Sequence, residues 1–164
     1  MAPPSSSACD PRVYLHERVR QHYLEVLPSR WRAVLFRLAK NTQLRQKNDV
    51  IVETHLLSEM QADFDLIHAL LDEEHRVYRE GVACLCSQAS NGKSETERWT
   101  ASRHLLQGML SCIAMKEILI AHWKNDLVDI SPNTLRVYCH ACISHPHVSE
   151  TDIERLLALY AVSW

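Results

Sequence analysis

From residue 49 to residue 87 the chain has no proline, and no glycine before Gly81. Within that stretch Val52, Leu56, Met60, Phe64, Ile67, Leu71, Tyr78, Val82 and Leu85 recur at spacings of three, four or seven. That spacing puts them on one face of a helix, whose period is about 3.6 residues. A single helix of this length extends on the order of 55 Å at 1.5 Å per residue. It is therefore either the backbone of a bundle or two helices broken near Ala62. The pattern favours one long helix, and a run this long without internal caps also suits self-association.

The rest of the chain points the same way. Only 3 glycines and 6 prolines occur in 164 residues, whereas all-β folds need frequent turn residues. Residues 1–9, rich in Pro, Ser and Ala, read as a flexible tail, and residues 10–164 as one helical domain. The domain begins with a basic helical hairpin, 10–47. Asp10 and Pro11 supply an N-cap and a first-position proline. Leu15, Val19, Tyr23, Val26 and Leu27 form the first apolar stripe, and Pro28 is expected to end that helix. Trp31, Val34, Leu35, Leu38 and Ala39 form the second.

A long acidic helix, 49–87, follows. Beyond a loop at 87–93, Ser94 and Glu97 have capping-box spacing and open an apolar central helix, 95–125. A C-terminal helical pair, 132–163, starts at Pro132 and is interrupted at Ser144 to His147. It resumes at Ser149 with Asp152 three residues on, and buries Ile153, Leu156, Leu157 and Tyr160. The expected fold is all-α: a compact bundle of about six helices around a long central helix pair.

Composition narrows the class. Apolar residues make up 46% and charged residues 23%, which suits a globular domain with a sizeable core. The richest apolar stretch, 105–123, is broken by Gln107, Ser111, Lys116, Glu117 and His122. It is expected to fall short of the roughly 18 apolar residues of a membrane span. The first residues have neither the basic nor the apolar region of a secretory signal. The six cysteines are therefore expected to stay reduced, in cytoplasm or nucleus. Net charge is −2, but it is unevenly spread. Residues 12–47 carry nine Arg and Lys against Glu17 and Glu25, and residues 53–80 carry eight acidic groups against Arg76 and Arg79. Either the basic and acidic segments pack together and cancel, or the basic one is a surface for nucleic acid or anionic lipid.

Two side-chain sets could hold a metal. Cys139, Cys142, His145 and His147 supply the four N or S ligands that tetrahedral zinc takes, although their spacing matches no zinc-finger pattern. Zinc is the one cofactor this segment admits. Asp65, His68, Asp72 and His75 line one flank of the long helix, as metal-binding carboxylates and imidazoles do in four-helix bundles. The paired Glu-x-x-His of di-iron proteins is absent. So are the phosphate-loop, dinucleotide, zincin and nucleophile-elbow motifs. The Asn91 to Ser94 run lacks the upstream glycine and strand of a phosphate loop.

The residues best suited to contacting a partner are Tyr14, Arg30, Arg32, Arg37, Lys40, Trp99 and Trp164, aromatic and cationic types enriched in interfaces. The expectation is a non-enzymatic protein–protein interaction or adaptor protein, in the range of regulatory, assembly or viral accessory factors. It would bind a protein partner, a second copy of itself included, through a helical surface. The alternatives are nucleic-acid binding through 12–47 and zinc binding through Cys139, Cys142, His145 and His147.

Overall fold

The structure is a computed structural model, and it describes residues 17–47, 53–86, 93–151 and 153–154. Tyr14, Trp164, the 1–9 tail and the loop at 87–92 lie outside the described residues, as does the expected apolar face at Leu156, Leu157 and Tyr160. Those described are all-α, with no strand among them. They form α1 (Leu27–Lys47), α2 (Glu53–Cys86), α3 (Lys93–Asn125) and α4 (Pro132–Ser144), followed by helical residues at 150–151 and 153–154.

The expected stop at Pro28 is overturned. Residues 17–20 are α-helical, Gln21–Val26 is a π-helix, and α1 continues from it, so 17–47 is one helical path and not a hairpin. Merging the first two helices also lowers the expected count of six. A proline inside a helix removes an N–H and presses its ring on the preceding turn. Here that turn is the wider π form: the Leu27 N–H bonds the His22 carbonyl, five residues back. Ser29 Oγ donates to the Val26 carbonyl at 3.0 Å. Both His22 and Tyr23, inside the π segment, are buried.

α2 is a single helix of 34 residues, unbroken at Ala62, and α3 has 33. Each is about 50 Å long, and they pack on one another. α1 packs against α2 and α4, and α4 also touches α3. Trp31, Leu35 and Leu38 of α1 meet Met60, Phe64 and Ile67 of α2 in one core, joined by Met109 and Trp123 of α3 and Cys142 of α4. One polar pin crosses it. The Trp123 indole N–H donates to Thr42 Oγ1 at 3.1 Å, and that hydroxyl donates to the Leu38 carbonyl at 2.8 Å.

α3 begins at Lys93, one residue ahead of the expected cap. Over Trp99–Asn125 it is long and apolar enough, by length and composition, to cross a membrane, which corrects the expectation that this stretch falls short. Its Leu105, Leu106, Met109, Cys112, Ile120 and Trp123 are nevertheless packed into the core of the bundle.

α4 starts as expected. Ser131 is extended (ψ 153°) and its Oγ accepts the Thr134 N–H at 3.1 Å, with Pro132 in the first turn. The connection before it is tied to α1 by Gln46 Nε2, which donates to the carbonyls of Leu127 and Ile130 at 3.1 and 2.8 Å. α4 ends on His145, in the left-handed region at φ 47°. The turn that follows lies so close to α3 that a Cβ on Gly108 would sit 2.2 Å from the His147 carbonyl oxygen.

Candidate functional site

Two features concentrate chemistry, one sealed inside the bundle and one open on its surface. The sealed one centres on Lys116 of α3, which has no exposed surface. Its Nζ donates to Glu74 Oε1 of α2 at 2.6 Å, and Glu74 is also fully buried. On another side it donates to His145 Nδ1 at 2.7 Å. That bond makes Nδ1 the acceptor and leaves the imidazole proton on Nε2. The rings of Trp31 and Tyr23 cover the ammonium at 4.9 and 5.9 Å from their centroids, within cation–π range. The Tyr23 and His145 rings meet edge to face.

Burial works against both charges of the pair. It lowers Lys116 and raises Glu74, and each partner's charge opposes the shift in the other. Burial and then the Lys116 charge push His145 down to about 3, so it is neutral at pH 7. Burial also lowers His22. Tyr23 Oη, Trp31 Nε1 and Glu74 Oε2 have no partner in good hydrogen-bonding geometry. Both donors still reach toward the carboxylate and favour its charged form. The thiols of Cys112 and Cys142 lie against this cluster, and desolvation raises both, Cys142 to about 12. Such thiols are poor nucleophiles and poor metal ligands.

This arrangement disperses the expected zinc ligands. His145 is held by Lys116, and Cys142 is buried beside that same cation. Cys139 Sγ faces the Leu35 carbonyl. His147 is exposed as a residue, and its backbone turns inward instead, the N–H to Cys112 Sγ at 3.4 Å and the carbonyl toward Gly108. The set on α2 does not converge either. Asp65 accepts from Gln61, and His75 bonds Glu117 of α3 at 2.6 Å. His68 and Asp72 line a mixed-charge cleft with Glu117 and Lys124. Among the described residues no three His, Cys, Asp or Glu side chains form a metal-binding group.

The basic and acidic segments do pack together. α1 lies along α2, where Arg30 donates to Glu73 at 3.0 Å and Arg37 to Asp63 at 2.7 Å. Ahead of α1, Arg18 pairs with Glu80. Arg30 and Arg37 therefore pair with carboxylates along this seam while about half of each side chain stays exposed. Trp99 is exposed on α3, with the Arg103 guanidinium 5.3 Å above its ring.

The open feature lies where α1 meets α4. Arg32, Phe36, Ala39 and Gln43 line it from α1, and Leu135, Arg136, Cys139, His140 and Ile143 from α4, around a cleft of about 360 Å³. Phe36 is 57% exposed there, and Val137, next to Arg136, is 64% exposed. Of the residues expected to contact a partner, Arg32 is the one in this cleft. Phe36, Arg136 and Ile143 were not foreseen. Phe36 is legible in hindsight, because it sits out of phase with the stripe Trp31, Val34, Leu35, Leu38.

Comparison with known proteins adds no relative: no family model, no curated protein and no solved structure matches this chain.

Proposed function

We propose that this chain is a non-enzymatic interaction protein, a regulatory or assembly adaptor, that holds a protein partner in the cleft between α1 and α4. The observation that carries the reading is Phe36: a large aromatic side chain left 57% exposed in an open, largely apolar cleft with an arginine on each wall. Aromatic and arginine side chains in such settings dominate binding energy in protein interfaces. The groups with catalytic potential, Lys116, Glu74 and His145, are sealed from solvent, which supports an architectural role for them. The paired state of Arg30 and Arg37 takes two cations from a nucleic-acid surface. Buried, unpaired thiols at Cys112, Cys139 and Cys142 support a reducing compartment, cytoplasm or nucleus. The packing of α3 into the core supports its reading as a bundle helix and not a membrane span.

The test is affinity purification from the native cell with wild-type chain and with Phe36→Asp, each followed by mass spectrometry. Partners held by the cleft are lost with Phe36→Asp, while circular dichroism and thermal midpoint stay near wild type because the side chain is on the surface. Retention of every partner by the folded variant overturns the proposal. Light scattering on both proteins reads out self-association through the same cleft.

A further inference from the structure

We infer that the occupant of the α1–α4 cleft is an acidic amphipathic helix of about three turns. The inference rests on the reading of that cleft as a partner site and adds the chemistry of the partner. Length comes first. On α1 the lining runs from Arg32 to Gln43 and on α4 from Pro132 to Ile143, eleven residue steps on each wall, or about 16 Å at 1.5 Å per step. That is three turns of helix. Both walls are helices, so the trough presents no unpaired backbone for a strand to extend. What it offers is an apolar floor that suits side chains at i, i+3, i+4 and i+7, the helix-in-groove mode.

Charge decides the rest. No Asp or Glu lines the cleft, while Arg32 on the α1 wall and Arg136 on the α4 wall are both exposed. On the opposite side of α1 the carboxylates of α2 answer Arg30 and Arg37. Neither Arg32 nor Arg136 has a carboxylate partner among the described residues. Exposed guanidiniums left without an internal counter-charge, one on each wall of an apolar trough, match carboxylates on both flanks of an incoming helix, and guanidinium–carboxylate pairs are geometrically specific. The apolar floor, with Phe36 and Ile143, argues against a phosphate backbone as the occupant, because that ligand has nothing to bury there.

An unbiased test is to pan a phage-displayed library of 16-residue helical peptides against the full chain. Winners are then measured by fluorescence polarisation against wild type, Phe36→Asp and the double variant Arg32→Glu/Arg136→Glu. The expected winners carry apolar residues at i, i+3 or i+4, and i+7 with Asp or Glu on the flanks. Their affinity falls about tenfold or more in the charge-reversed chain, is abolished by Phe36→Asp, and is regained in the charge-reversed chain when the peptide's flanks are changed to Lys. Neutral or basic winners that still depend on Phe36 overturn the acidic preference and leave the cleft as a docking site. Failure to select any Phe36-dependent helix overturns the inference. The cleft reading itself fails separately, if native partners survive Phe36→Asp. Circular dichroism of both variants confirms that each remains folded.

Discussion

Lys116 and Glu74 hold each other in place. A charge taken out of water is tolerated only while its partner and hydrogen bonds remain, so removing one half of the pair is far worse than removing both. Lys116→Met leaves the Glu74 carboxylate buried alone and is expected to lower stability by about 3–5 kcal/mol, read from urea or thermal unfolding. The double variant Lys116→Met/Glu74→Met should recover most of that loss. A double variant no more stable than the single one would show that the two groups act independently.

His145 gives the site a pH signature. Its folded value, about 3, lies below its ordinary 6.5, so the folded chain binds fewer protons there than the unfolded chain. Its contribution to stability is complete above pH 6.5 and is lost as pH falls toward 3, by up to about 1.4 kcal/mol per unit. His22, also lowered, adds in the same direction, and Glu74, raised, opposes it. Comparison with His145→Gln isolates the one group: the variant should show a flatter fall in stability between pH 6.5 and 3. Equal slopes would place the linkage elsewhere.

Little of this was legible in the sequence. Lys116 reads as a break in an apolar run and His145 as a metal ligand. The three partners stand 42 and 29 positions apart, beyond any local pattern. One trace was present. The apolar stripe of α2 jumps seven positions from Leu71 to Tyr78, and the skipped inward position is Glu74.

At the scale of elements the periodic signal was the reliable one. It gave α2 as a single helix and Pro132 as the start of α4, because each of these depends on neighbouring residues alone. It failed at Pro28, where the chain absorbs the proline in a π turn instead of stopping. That choice follows from packing: the continuous path carries Tyr23 and His22 into the same interior that Trp31 lines.

Gly108 was also silent in the sequence, because the turn that needs it arrives from residue 147. Gly108→Ala puts a methyl group into the His147 carbonyl, and backbone is slow to yield. A loss of about 1–3 kcal/mol is expected. The first consequence should be displacement of the turn that carries His145, visible as faster amide exchange at Val148 and Ile153, whose N–H groups bond His145 and Ser149. Unchanged exchange would mean that the turn can retreat without strain.

Across the described residues, opposite charges are paired along one seam: Arg30 and Arg37 of α1 meet Glu73 and Asp63 of α2, while Arg32 and Arg136 stay outside it. Dense packing makes a prediction that needs no knowledge of a partner. Cys112 and Cys142 have no exposed surface and raised thiols, so alkylation of native protein, mapped by peptide mass spectrometry, should leave both unmodified until denaturant is added. Modification of Cys142 at the rate of an exposed thiol would contradict the packing of α4 on the bundle.

The contact between α2 and α3 has one further property. Contacts among Leu, Ile, Met and Phe are non-directional, so they oppose a one-turn slip of α2 past α3 less sharply than a buried charge pair does. Such a slip of about 5.4 Å would strand an ammonium against hydrocarbon and a carboxylate several ångströms away. The Lys116–Glu74 contact thus works as an alignment key: it contributes little to how tightly the two longest rods adhere, and it permits a single register between them.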